Sequence, residues 1–167
     1  MTTKEDYIRQ FQLTPHPEGG WYQQIYHSED KYFDLESGGQ RYRYTSIYFL
    51  LDSTSPSHFH RLNHDELWYF HAGQGITIHC ISPNGHYQAV KLGQNIQSGE
   101  RLQFKVPKET IFASEVSDSN SFGFVSCMVA PGFDYRDFEL LSKEKLLTRY
   151  PQHRSVIDRL AVDDTNQ

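Results

Sequence analysis

Cysteine is scarce in this 167-residue chain, which carries only Cys80 and Cys127. Both lie in apolar, strand-like runs (Ile76 to Ile81 and Phe122 to Val129), so they read as buried free thiols in a reducing compartment and not as a disulfide framework. Long hydrophobic runs are missing too. Ile47 to Leu51 is among the longest, far short of the roughly 20 residues that span a bilayer as a helix. Positive charge is in deficit, with 16 Lys and Arg against 21 Asp and Glu and a formal net charge of −5, which gives no general attraction to nucleic acid or to anionic membranes. The stretch Met1-Thr2-Thr3-Lys4-Glu5-Asp6 has no apolar signal core, so a cytoplasmic location is expected. No repeat, low-complexity linker, zinc-finger cysteine set or phosphate-binding glycine loop is found.

Aromatic residues are plentiful, with eleven Tyr and eleven Phe, and they supply the contact area that a hydrophobic content of 37 % would otherwise leave short. Residues 1–167 are expected to form a single domain. Tyr7, Ile8 and Phe11 fall at helical spacing and predict a short N-terminal helix that ends before Pro15. From Trp21 onward the period is two. Strands are predicted at 21–26, 42–51, 67–71, 76–81, 87–92, 101–106, 111–116 and 122–129, with an exposed loop over 28–40 that covers the mouth of a pocket. Ala72-Gly73-Gln74-Gly75 and Ser82-Pro83-Asn84-Gly85 are read as hairpin turns. Short strands with turns every eight to twelve residues predict an all-β antiparallel sandwich or barrel. Ser142 is placed to cap a C-terminal helix, and the terminal helices are expected to cover sheet edges.

The chemistry concentrates between Ser57 and Gly73. His58 and His60 are two residues apart, so on an extended strand both side chains leave one face and converge, and Glu66 opens the next strand. Imidazole and carboxylate together suit proton transfer near neutral pH or a bound divalent metal. In the metal-free reading His60 is the base, Glu66 or Asp65 orients it, and Tyr48 or Tyr69 is the matching acid. In the metal reading His58, His60 and Glu66 form a facial triad, with His64 as a substitute ligand. The Gly19-Gly20 pair permits backbone shapes closed to other residues. It either brings Glu18 to the pocket or makes a rigid turn with Glu18 paired to Arg43 or Arg61. His60 is expected to matter more to function than to folding.

His58, His60, Glu66 and Gly73 resemble the landmarks of the first motif of the cupin superfamily. Gly99 and Pro107 resemble the second motif, where Ile111 or Phe112 stands at the histidine position. The segments His16-Pro17-Glu18-Gly19-Gly20-Trp21-Tyr22, Asp65-Glu66-Leu67-Trp68 and Val129-Ala130-Pro131-Gly132-Phe133-Asp134 are similar to a largely uncharacterised branch of that superfamily, often called Cupin-5. The resemblance implies a double-stranded β-helix (jelly roll) with its barrel over about 20–135, a helical extension over about 136–162, frequent dimers and a polar pocket. From the residue chemistry, the candidate catalytic residues are His60, Glu66, Tyr48 and Tyr69, and the candidate ligand contacts are His58, Asp65, Glu18 and Arg43. The expected function is binding of a small polar metabolite, as a sugar or nucleotide-sugar epimerase or isomerase. A non-catalytic ligand-binding protein and a metal-dependent oxygenase are the alternatives. No cofactor is favoured, a divalent metal held by His58, His60 and Glu66 being the open alternative, and the expected partners are a small molecule and a second copy of the chain.

Overall fold

The computed structural model describes residues 2–164. Helix α1 (Lys4–Gln10) precedes β1 (Thr14–Pro15), β2 (Trp21–His27), β3 (Lys31–Asp34), β4 (Gly39–Tyr42), β5 (Thr45–Asp52) and β6 (Ser57–Leu62). Strands β7 (Asp65–Gly73), β8 (Ile76–Ile81), β9 (Tyr87–Leu92), β10 (Gln103–Val106), β11 (Ile111–Val116), β12 (Phe122–Ala130) and β13 (Phe138–Leu140) follow, then α2 (Lys143–Arg149) and α3 (Arg154–Leu160). The strands form a six-stranded sheet in the order β1-β2-β5-β12-β7-β10 and a five-stranded sheet in the order β13-β6-β11-β8-β9. Their pairings are antiparallel, and the two sheets face each other as an all-β jelly roll. No helix among the described residues is long and apolar enough to cross a membrane.

Inward-facing residues of the long strands build the core by simple alternation. Phe49 and Leu51 of β5, Trp68 of β7, Ile76 and Ile78 of β8, Phe112 of β11 and Val125 of β12 fill one end of the space between the sheets. The inward faces of the same strands continue past this plug as Thr45 and Ile47, Glu66, and Cys127 and Val129, which line a cavity at the other end. Three strands therefore serve core and cavity with one face each.

The helices cover faces, not edges, because both outer faces carry apolar side chains that an edge cover would leave wet. Thr3 and Asp6 form a capping box at the start of α1. The helix then lays Tyr7 and Phe11 on the six-stranded sheet, with ring centroids 4.5 Å from Phe124 and 4.7 Å from Tyr48. The Ser142 hydroxyl accepts the Lys145 amide and starts α2. Leu146, Ile157 and Leu160 of α2 and α3 bury Phe59, Ile81, Ile111 and Ala113 of the five-stranded sheet.

Four other expectations are corrected. The Gly73 turn is not a hairpin: β7 and β8 belong to different sheets, and Gly73 (φ +85°) turns the chain where an added Cβ would lie 2.2 Å from the Phe122 carbonyl oxygen. The strand predicted from Tyr42 begins at Thr45, because the Arg43 amide is taken by the Ser28 hydroxyl and residues 39–42 pair with β3. Residues 28–40 thus contain a hairpin strand, and β13 carries the sheet beyond residue 135. At Asn84-Gly85 the hairpin expected from sequence joins β8 to β9.

Ile157 is fully buried between α3 and the sheet. Ile157→Ala is expected to cost about 2–4 kcal/mol in urea unfolding, whereas Leu35→Ala, at an 88 % exposed side chain, should stay within about 0.5 kcal/mol.

Candidate functional site

The cavity has a volume of about 290 Å³ and takes its chemistry from the turn at 16–20, from β6 and from β7. The turn is closed by amide-to-carbonyl bonds from Gly19 to His16 and from His16 to Gly20. Gly19 sits at φ +107°, where an added Cβ would fall 1.9 Å from the Pro56 carbonyl oxygen, so no larger residue fits. The close approach lets the His58 amide donate to the Glu18 carbonyl at 2.6 Å. Glu18 is thereby aimed inward. Its Oε1 accepts the Ser57 hydroxyl at 3.0 Å, and its Oε2 lies 3.1 Å from His60 Nε2.

Ser57 and His60 are three apart, and a regular strand would point them to opposite faces. A bulge in β6 removes the conflict: Ser57 to His60 oppose only Phe112 to Ser114 of β11. The extra residue turns His58 away, so that its Nδ1 meets the Leu160 carbonyl of α3 at 3.2 Å. The expected convergence of His58 and His60 is therefore corrected by one inserted residue.

His60 is buried, with its ring 4.1 Å from Phe112 and its Nδ1 2.7 Å from the His58 carbonyl. A carbonyl only accepts, so Nδ1 carries the hydrogen and Nε2 of the neutral ring presents a lone pair to Glu18. Burial pushes the imidazole down to about 3, against the His58 carbonyl bond, which acts the other way. Burial, reinforced by repulsion from Glu66, holds the Glu18 carboxyl well above its ordinary range, with the Ser57 bond opposing. The proton between them therefore resides on Glu18 as a carboxylic acid. Glu66 is raised to about 7 by burial, with the Trp68 indole and the Cys127 thiol opposing. His16, whose Nδ1 accepts the Glu18 amide, is lowered by burial to about 4 and is neutral.

The rest of the wall is aromatic and apolar. The His16 and Tyr22 rings lie 4.5 Å apart edge-on, Phe133 and Tyr135 are 5.0 Å apart, and the Tyr22 and Tyr135 hydroxyls meet at 3.4 Å. Tyr135 is half-exposed and marks the mouth. The segment carrying it is clamped by Arg41, which donates twice to the Asp137 carboxylate at 2.7 Å. His64 joins that clamp, with Nε2 2.7 Å from the Ser37 hydroxyl and 3.5 Å from Asp137. It is not at the cavity.

Of the residues singled out in the sequence, Glu18, His60 and Glu66 meet at the cavity. The others do not. Tyr48 lies on the outer face beneath Phe11, and Tyr69 alternates outward between the inward Glu66, Trp68 and Phe70. Asp65 accepts the Lys108 amide and pairs with Lys105. Arg43 pairs with Asp30 in solvent, and Arg61 pairs with Glu139 and Glu109. The metal triad is broken by the outward turn of His58. Phe112 packs on His60, and among the described residues no group of three His, Cys, Asp or Glu side chains is disposed to hold a metal ion. The donor set does not fit a metal centre. Sequence reasoning missed His16, Tyr22, Gln24, Thr45, Phe133 and Tyr135 as wall residues and took Cys127 only for core. The alternation Tyr22–Gln24 carried a usable signal. The contribution of Phe133 and Tyr135 depends on a distant turn and carried none. His60 also has a structural part, since its removal would leave the buried Glu18 carboxyl without a partner.

Residues 5–141 match the family described as Cupin superfamily (DUF985), Cupin_5. The chain is 31 % identical over 150 residues to the uncharacterized protein YML079W of Saccharomyces cerevisiae, covering 82 % of this chain and 74 % of that one. Two solved structures are similar along nearly the whole length. Protein SO0799 from Shewanella oneidensis shares 47 % identity at TM-score 0.91, covering 98 % of this chain and all of that one. A hypothetical protein from Leishmania major shares 41 % at TM-score 0.91, covering 97 % and 100 %.

The raised pKa of Glu66 makes stability depend on pH. Between about 4.5 and 7 the unfolded chain ionises this group while the folded chain keeps its proton, so its stabilising contribution is full below 4.5 and lost as pH rises through 7. His60 acts in the opposite direction, its contribution being lost as pH falls from 6.5 toward 3, so the two partly cancel in the wild type. Glu66→Gln should therefore match wild type at pH 4.5 and exceed it by about 3 kcal/mol at pH 8, read from urea unfolding at each pH.

Proposed function

This chain belongs to the Cupin_5 family of the cupin superfamily, and on that premise we propose that its barrel binds a small polar metabolite and moves a proton at a carbon beside a carbonyl, as an isomerase or epimerase does. The observation that carries this reading is Glu66, a cavity carboxyl raised to about 7, next to a Glu18–His60 pair holding one transferable proton. General acid–base groups work best with acidity constants near the working pH. In the reaction, the Glu66 carboxylate takes the α-proton while the carbonyl oxygen receives the Glu18 proton, giving an enediol. Return of a proton to carbon and of the hydroxyl proton to Glu18 completes the exchange. The apolar wall excludes water that would quench the intermediate. Among the described residues no lysine or arginine lines the cavity, so the nucleotide-diphosphate part of the epimerase expectation has no support, and the reading is confined to small, unphosphorylated compounds.

Incubation with a panel of aldoses, ketoses and their amino-substituted counterparts in D₂O, followed by NMR, tests the proposal. Replacement of the α-hydrogen by deuterium is expected, and Glu66→Gln should slow it at least 100-fold. His60→Gln, which keeps a side-chain amide near the Nε2 position, should slow it as well. Thermal stabilisation by a panel member with no exchange at all would replace this reading by the non-catalytic one. The two unpaired, buried thiols support a reducing, cytoplasmic setting.

Self-association is part of the same proposal. Among the described residues β1 pairs only with Trp21 and Tyr22, which leaves Gln23–His27 of β2 as an open edge, and Tyr26 on it is two-thirds exposed. A second copy pairing along this edge should give light scattering at twice the chain mass at micromolar concentration. A single chain mass refutes it.

A further inference from the structure

The cavity wall combines two features that a neutral or anionic ligand does not explain together. It holds two carboxyl groups, Glu18 and Glu66, both more than nine-tenths buried, and among the described residues it holds no lysine or arginine to compensate them. Glu18 has internal partners in Ser57 and His60. Glu66 is served less well: the Trp68 indole and the Cys127 thiol adjoin it, yet among the described residues its Oε2 is buried with no partner at hydrogen-bonding geometry, and so is the indole nitrogen. An unpaired carboxylate in such a setting costs several kcal/mol and is ordinarily replaced or paired. The same cavity is walled by Tyr22, Phe133 and Tyr135, aromatic side chains of the kind that hold cations through their ring quadrupoles.

We propose that the ligand of this cavity is a compact organic cation, an amine- or amidine-bearing molecule whose charged nitrogen pairs with Glu66 in the cavity that Tyr22, Phe133 and Tyr135 also line. The inference rests on the cavity being the ligand site, and stands whether or not proton transfer follows. At a packing density of about 0.5–0.75, 290 Å³ accommodates on the order of a dozen non-hydrogen atoms, the size of a monosaccharide or a small substituted ring. In the free protein the charge is suppressed: Glu66 is half-protonated near pH 7, Glu18 is a neutral acid, and burial keeps His16 and His60 uncharged and the Cys127 thiol protonated. A cation entering the cavity ionises Glu66 and expels its proton. Binding must therefore tighten as pH rises through 7.

Three molecules of one shape and three charges make the test: benzamidine (cation), benzamide (neutral) and benzoate (anion), each titrated calorimetrically into the wild-type protein at pH 5.5 and pH 8. The expected result is benzamidine binding at least tenfold tighter than benzamide, at least tenfold tighter at pH 8 than at pH 5.5, and no measurable binding of benzoate. At pH 7 its heat should vary with the ionisation enthalpy of the buffer, reporting proton release. Glu66→Gln, checked for wild-type circular dichroism and undiminished melting temperature, should abolish the preference for benzamidine over benzamide. Tyr135→Ala, at the half-exposed mouth, supplies a second reading by weakening benzamidine without creating benzoate binding. Equal or tighter binding of benzoate or benzamide overturns the cationic assignment while leaving the cavity as the ligand site. Failure of all three to bind at 20 mM overturns the assignment, and if the aldose and ketose panel also leaves the melting temperature unmoved, the cavity reading falls with it.

Discussion

One proton, held between Glu18 and His60, allows a carboxyl and an imidazole to occupy a barrel end that is otherwise apolar. Separately, each group would be costly to bury in its charged form. Together they are neutral: the His58 carbonyl fixes the ring tautomer, the bare ring nitrogen accepts from the acid, and Ser57 satisfies the second carboxyl oxygen. Every part of this arrangement depends on backbone placement. Gly19 allows the 16–20 turn to touch Pro56, and the β6 bulge brings Ser57 and His60 to the same side.

The cavity is continuous with the hydrophobic core and is built from the same strands. Trp68 stops the cavity from below, two residues beyond Glu66 on one face, and Phe112 separates His60 from the packed end. The plug is rigid because its large side chains interlock, and that rigidity holds the polar groups at fixed separations. Cys127 belongs to both regions, with a thiol that packs into the core while facing Glu66. Burial pushes this thiol well above its usual range, so it is a protonated neighbour and not a nucleophile.

What the sequence made legible was whatever obeys a local period or a local turn. The two-residue alternation marked most strands, Asn84-Gly85 marked a true hairpin, and Ser142 lies at the start of a real helix. The candidate site was legible at Glu18, His60 and Glu66, because turn chemistry and motif spacing single them out. His58 was misread because a bulge leaves no mark in a run of strand-forming residues, and one extra residue reverses the facing of all that precede it. Gly73 was misread because a turn between two sheets and a turn within one use the same residue. Tyr48 and Tyr69 were tied to the site by proximity in sequence, while the tyrosines at the cavity, Tyr22 and Tyr135, come from opposite ends of the chain and meet only through folding.

The Arg41–Asp137 clamp has a kinetic meaning. It fixes the short helical turn that presents Tyr135, and the Phe133 amide is bonded to the Thr45 hydroxyl, so the backbone on both sides of the mouth is tied to the sheet. No hinge is free to swing open there. Passage into the barrel is left to rotation of the Tyr135 side chain away from Tyr22, a movement of one ring against one weak hydroxyl contact. Exposed side chains turn over on picosecond-to-nanosecond timescales, well ahead of loop or domain movements. The residence time of an occupant is then set by the grip of the interior and not by the opening of a door.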